Sequence, residues 1–143
     1  DTELPAWSQT SIAGMGMDEY CSLCASCQGS LSQTVRAEFD DKVRNAAYRI
    51  IEGKGATFYA VALAVRRIVE AILRDEQSIL TVSSLLTGQY GLDGVCLSLP
   101  CIVGVNGVEQ GLAIHLSDEE MAQLRTSADA IRAAIRLMDE PVE

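Results

Sequence analysis

Apolar residues recur at helical spacing through the first half of the chain. Val35, Phe39, Val43, Ala46, Ala47, Ile50 and Ile51 fall on one face and predict a helix over 31–51. Gly53-Lys54-Gly55 is expected to break it, and a second helix should run from about Thr57 to Arg74. Its apolar side holds Val61, Ala64, Ile68, Ala71 and Ile72, and Glu70 and Arg74 lie one turn apart as a supporting ion pair. The pattern then changes. "ILTVSSLL" (79–86) is rich in β-branched and apolar residues and reads as a strand, "TGQYGLDG" as a turn, and "VCLSLP" and "CIVGV" as two more short strands. Asn106-Gly107 signals a hairpin, with "VEQGLAI" returning as its partner. Ser117-Asp118-Glu119-Glu120 is a capping box opening a last helix, with Met121, Leu124, Ala128, Ile131, Ile135 and Met138 on one face. Strands grouped together and joined by hairpins predict an α+β fold, helices packed on an antiparallel sheet, and not a doubly wound Rossmann domain.

Composition narrows the function classes. A chain of 143 residues suits one domain with a real core. Twenty acidic against eleven basic residues leave a net charge of −9, which argues against nucleic acid and anionic membranes as partners. No apolar run approaches the roughly 20 residues that span a bilayer. The opening Asp1-Thr2-Glu3-Leu4-Pro5 lacks the basic flank and apolar core of a signal peptide. Five cysteines without a secretion signal suggest reduced thiols and a cytoplasmic location. Hydrophobic content of 48% with mean hydropathy +0.15 suggests apolar surface covered by another domain or subunit.

Candidate chemistry is sparse. "CSLCASC" (21–27) places Cys21, Cys24 and Cys27 at a three-residue step, which invites a zinc or iron–sulfur reading. Such a site needs a fourth ligand, and Cys96, Cys101 and His115 are all distant along the chain. The competing reading is favoured: Asp18 caps a short helix, Gly29 ends it, and Met17, Tyr20, Cys24 and Cys27 form one apolar stripe, so no metal is expected. His115, the single histidine, sits between Ile114 and Leu116 with no carboxylate or nucleophile beside it in sequence, which favours a packed or solvated strand-end residue over a catalytic one. The glycines at 14–16 and 53–55 match neither the dinucleotide fingerprint nor a P-loop. Asp40-Asp41 and the run from Asp118 to Glu120 read as a solvated face and a helix start. The residues alone show no independent active site.

"DTELPAWS" (1–8) resembles the segment that follows the active-site histidine of L-lactate dehydrogenases, where the motif reads His-Gly-Asp-Ser/Thr-Glu-x-Pro-x-Trp-Ser. The stretch "VRNAAYRIIEGKGATFYAVALAVRRIVEAILRDEQSILTVSSLLTGQYGLDGVCLSLPCIVGVNGVEQ" (43–110) is similar to the same enzymes almost throughout, and the capped last helix completes the match. Glu3 and the Trp-Ser ending favour the lactate branch, of bacterial type, over the malate branch. The cysteine-rich stretch lies where family members vary.

The resemblance implies that residues 1–143 form the C-terminal, substrate-side domain, incomplete on its N-terminal side. The proton-donating histidine would lie two residues before Asp1. Its carboxylate partner, the arginines that hold and polarise the substrate, and the Rossmann half that binds most of NAD would lie further upstream, so this chain carries no catalytic residue and is expected to be inactive alone. Within it, Thr57 matches a threonine lining the pocket near the substrate carboxylate, a role compatible with an ordinary helix cap. Ala47 matches a small residue leaving room for substrate, compatible with close helix packing. Val61 matches an aliphatic residue against the nicotinamide, although a core valine looks the same in sequence. The implied activity is interconversion of pyruvate and L-lactate in a homo-oligomer, commonly a tetramer, serving glycolysis and fermentation. Alternatives are another NAD-dependent 2-hydroxyacid dehydrogenase, an inactive fragment, and, last, a cysteine-based metal or thiol module.

Overall fold

The structure, a computed structural model, describes residues 3–26 and 33–139. They divide into two compact units, one of Glu3–Thr57 with His115–Glu120, the other of Phe58–Ile114 with the chain from Met121 onward.

In the first unit a short 3-10 turn, Trp7–Gln9, leads into a small antiparallel hairpin of β1 (Ser11–Ile12) and β2 (Met15–Gly16). Its turn takes Ala13 and Gly14 through positive φ, 53° and 81°, the backbone that matches strand twist in a two-residue loop. Helix α1 (Met17–Leu23) follows, and Cys21, at 1% exposure, is its buried residue, with Met17, Tyr20 and Cys24 half-buried. Of the stripe expected here, Met17 and Tyr20 lie on α1 and Cys24 just past its end; Asp18 lies within the first turn, the capping position being Gly16, and Cys27 and Gly29 lie outside the described residues.

The helix expected over 31–51 is two helices, α2 (Gln33–Arg44) and α3 (Ala46–Lys54). The break falls at Asn45, at φ −90° and ψ 0°, whose side-chain amide donates to the Asp41 carbonyl (3.1 Å) and carboxylate (2.8 Å). An asparagine bonding back to the preceding turn competes with the helical ladder, which apolar spacing cannot reveal. Gly53 lies inside α3, and the helix ends at Gly55 in the left-handed region, φ 79°, its amide bonded to the Ile51 carbonyl.

The second unit opens with α4 (Phe58–Leu73), close to the expected bounds, and the Glu70–Arg74 pair forms at 2.6 Å. A three-stranded antiparallel sheet follows, in order β3 (Ser78–Thr87), β4 (Asp93–Gly104), β5 (Gly107–Gly111). The two short strands expected at 95–105 are one, continuing through Pro100 in the central strand. The Pro100 carbonyl accepts from Leu112 (2.8 Å), so its nitrogen, which cannot donate, faces the same side, and the ladder with β5 ends there at Gly111. The hairpin loop is Val105-Asn106 rather than Asn106-Gly107. Gly104 pairs with Gly107, whose φ is 84°, and the ladder shifts register between Ile102 and Val103.

Alternate residues of β4, Val95, Leu97, Leu99, Cys101 and Val103, are buried, joined by Leu86, Ala71 of α4, and Leu124 and Ala128 of α5 (Asp118–Asp139). Arg67 ties α4 to the start of β3, donating to Glu76 (2.6 Å) and Ser78 (2.9 Å); that bond holds the Glu76 carboxyl below its usual range. Helices and antiparallel sheet give the α+β class expected, the C-terminal α/β domain type.

Candidate functional site

The segment Trp7–Gln9 is fixed by side chains far along the chain, all in its own unit. Trp7 is held from α2: its indole N–H donates to Asp40 (3.1 Å), Phe39 meets the ring edge-on at 6.5 Å, and the Arg36 guanidinium lies 5.7 Å from the ring centroid. Arg36 is in turn fixed by Asp18 of α1 at 2.6 Å. The three α2 residues at 36, 39 and 40 share one helical face, so one helix surface meets the whole indole. Beside it lies a cavity of about 320 Å³ lined by Leu4, Pro5, Trp7, Phe39, Val43 and Arg44, among others.

Ser8 is held by Glu120. The Ser8 amide donates to Glu120 Oε1 (2.8 Å) and its hydroxyl to Oε2, while the Gln9 amide group donates to the His115 carbonyl. Glu120 also completes the expected capping box: its amide donates to Ser117 Oγ (3.2 Å) and its carboxylate accepts from the Ser117 amide (2.9 Å). The side chain is only 7% exposed. Burial pushes its carboxyl up, but the hydrogen bonds from Ser8 and Ser117 outweigh that and hold it below the usual carboxylate range.

Thr57 is the half-buried residue directly before α4, where the first amides of a helix have no intrahelical partner and can bind an anion. Ala47 is exposed in the first turn of α3. Val61, one turn into α4, is 55% exposed. Thr57 and Ala47 belong to the first unit and Val61 to the second.

Cys21 is buried and Cys24 half-buried on α1, whereas Cys96 is exposed and Cys101 buried on β4. Among the described residues no group of three or more His, Cys, Asp or Glu side chains is arranged to hold a metal ion. His115 is exposed, just before Ser117 and the start of α5. Sequence reading singled out Trp7, Ser8 and the capping box separately and missed that Glu120 joins the last two, since the partners are 112 residues apart.

Residues 1–141 match the family described as lactate/malate dehydrogenase, alpha/beta C-terminal domain. The L-lactate dehydrogenase of Acetivibrio thermocellus is 57% identical over 139 residues, covering 97% of this chain and 43% of that protein. L-lactate dehydrogenase 1 of Clostridium acetobutylicum is 55% identical over 136 residues, 94% of this chain and 42% of that one. Among solved structures, the ligand-bound minor L-lactate dehydrogenase of Enterococcus mundtii superposes with a TM-score of 0.87 at 33% identity, covering 99% of this chain and 44% of that chain. A lactate dehydrogenase from a deep-sea metagenome library gives 0.88 at 30% identity, covering 98% and 44%. The chain thus spans less than half the length of these relatives.

Proposed function

Because this chain belongs to the lactate/malate dehydrogenase family, as its α/β C-terminal domain, we propose that it is the substrate-side part of an NAD-dependent L-lactate dehydrogenase interconverting pyruvate and L-lactate. The observation that carries this reading is the similarity to L-lactate dehydrogenases along almost the whole chain.

The positions of its own residues support the roles proposed for them. Thr57 places a hydroxyl at the start of α4, beside amides suited to the substrate carboxylate, and holds the substrate rather than transferring a proton. Ala47 lacks a side chain beyond its methyl group and leaves room for substrate on the outer side of α3. Val61 offers an exposed aliphatic surface against which a nicotinamide ring can lie. NAD, bound mainly by another part of the polypeptide, supplies or takes the hydride, and the proton comes from the histidine that the family places ahead of Asp1. This domain contributes one wall of the site and excludes water from it.

The surface of α4 supports a missing neighbour. The helix is apolar almost all round, yet Phe58, Tyr59, Val61, Leu63 and Val65 are all more than half exposed, and Ala71 is its buried residue. Such a helix belongs in the interior of a larger body. The parts that cover it are the Rossmann half and further copies of the same polypeptide, assembled as a cytoplasmic homo-oligomer, a tetramer, working in fermentation and glycolysis.

The test is steady-state oxidation of NADH by the polypeptide carrying this domain together with its cofactor half, with pyruvate set against 2-oxobutyrate and phenylpyruvate. Pyruvate is expected to give the highest kcat/KM. A preference for a longer 2-oxo acid assigns a different 2-hydroxyacid dehydrogenase.

A further inference from the structure

Glu120 does more than a helix cap requires. A capping box needs one side-chain oxygen to accept from the amide of the capping residue, and glutamine serves there as well as glutamate. Here both carboxylate oxygens are engaged: Oε2 takes the Ser117 amide and the Ser8 hydroxyl, and Oε1 takes the Ser8 amide. Three donors converge on one side chain that is 7% exposed, an arrangement only a carboxylate satisfies. Removing Ser8 from this set would leave a satisfied cap and an unused oxygen, so the burial of the charge is explained by Ser8. The neighbouring residues are pinned too, Trp7 by Asp40 of α2 and Gln9 by the His115 carbonyl. The turn Trp7–Gln9 is therefore clamped at three successive residues, each by a different part of the same unit.

We infer that Glu120 is a positioning residue: by holding both the amide and the hydroxyl of Ser8 it fixes the chain segment Leu4–Gln9, and through that segment the proton-donating histidine. The inference rests on the functional reading above, in which that histidine stands ahead of Asp1. Asp40 and Arg36 act on the same segment through Trp7 and set its other side. Ser8 is then more than a family marker, since its hydroxyl and amide tie the segment to Glu120.

Glu120→Gln separates the two roles. A glutamine oxygen in the place of Oε2 can keep the Ser117 amide and the Ser8 hydroxyl, but its NH2 group then meets the Ser8 amide, donor against donor, so the cap survives and the hold on the Ser8 amide is lost. Ser8→Ala removes the hydroxyl bond alone, and Ser8→Thr keeps it. The variants are compared in the polypeptide carrying both halves of the enzyme, reading kcat, KM for pyruvate, the pH profile of kcat/KM and the exchange rate of the Ser8 amide. For Glu120→Gln a fall in kcat of about tenfold is expected, with KM for pyruvate little changed, a displaced pH profile and faster Ser8 exchange. Ser8→Ala should show a smaller change in the same direction, and Ser8→Thr should restore the unsubstituted values. Glu120→Gln with unaltered kcat and pH profile, even if less stable, overturns the positioning role and leaves a cap. An unsubstituted enzyme inert toward every 2-oxo acid overturns the functional reading and the positioning role together; the Ser8 exchange rate then still shows whether the clamp itself exists.

Discussion

Thr57 directly precedes α4, and the role proposed for its hydroxyl is to hold the substrate carboxylate. Replacing it with valine keeps the shape and removes the hydroxyl. In the complete enzyme Thr57→Val is expected to raise KM for pyruvate roughly tenfold while NADH affinity changes little, because a lost hydrogen bond to a charged group is worth about 1.5–3 kcal/mol. Steady-state kinetics with each substrate varied separately decides it, and unchanged pyruvate kinetics would remove Thr57 from the site. Glu120 carries the second residue-scale prediction. Its carboxyl is held below the ordinary value of 4.5 in the folded chain, so its contribution to stability is fully present above that pH and is lost as pH falls through the lower folded value. Denaturation followed from pH 7 to pH 3 should show Glu120→Gln less stable at neutral pH and the difference from the unsubstituted protein shrinking on the acid side. A constant difference across that range contradicts the assignment. Reading single residues from sequence succeeded where the signal was local, as with the capping box of Ser117 and Glu120. It could not find the bond from Ser8 to that same glutamate, because nothing in the pattern near position 8 refers to position 120.

Among the elements, helices and strands announced by their own periodicity were legible. The expected helix 57–74 is α4, and 79–86 lies within β3. The departures each have a physical cause outside simple periodicity. Asn45 splits one apolar pattern into α2 and α3 through its own side chain. Pro100 suggested a boundary between two strands, yet β4 runs through it because it stays in register with β3 at Thr81, and its donor-less side meets the end of β5, a fact of pairing that local sequence does not contain. Element-scale energetics also divide. Leu86 is 1% exposed beside β4, and Leu86→Ala should cost about 2–5 kcal/mol by denaturant titration. Leu63, 64% exposed on α4, should behave differently: Leu63→Ala is expected to change the stability of the isolated chain by no more than about 0.5 kcal/mol. In the complete enzyme the same substitution should cost about 2 kcal/mol or more, since the covering partner then loses its contacts. Equal costs in both settings would mean that α4 has no partner to meet.

At the scale of the whole molecule, composition and structure support the proposal of a body covered by further parts of a larger protein. A chain of 48% hydrophobic residues leaves Tyr48, Ile51, Phe58, Tyr59 and Leu63 open to solvent, and it spans less than half the length of the lactate dehydrogenases it matches. The family and the α+β class were legible from the Trp-Ser motif and the order of elements. The roles proposed for Thr57, Ala47 and Val61 depend on groups that other parts of the proposed enzyme would bring. The most direct test is NADH oxidation with pyruvate, measured on the purified 143-residue chain and on the same chain joined to the N-terminal half of the Acetivibrio thermocellus enzyme, with intact masses taken on both samples. Turnover by the joined protein and none by the isolated chain is the predicted result. Turnover by the isolated chain with a single mass for its 143 residues, or a folded joined protein that is inert, would contradict the account.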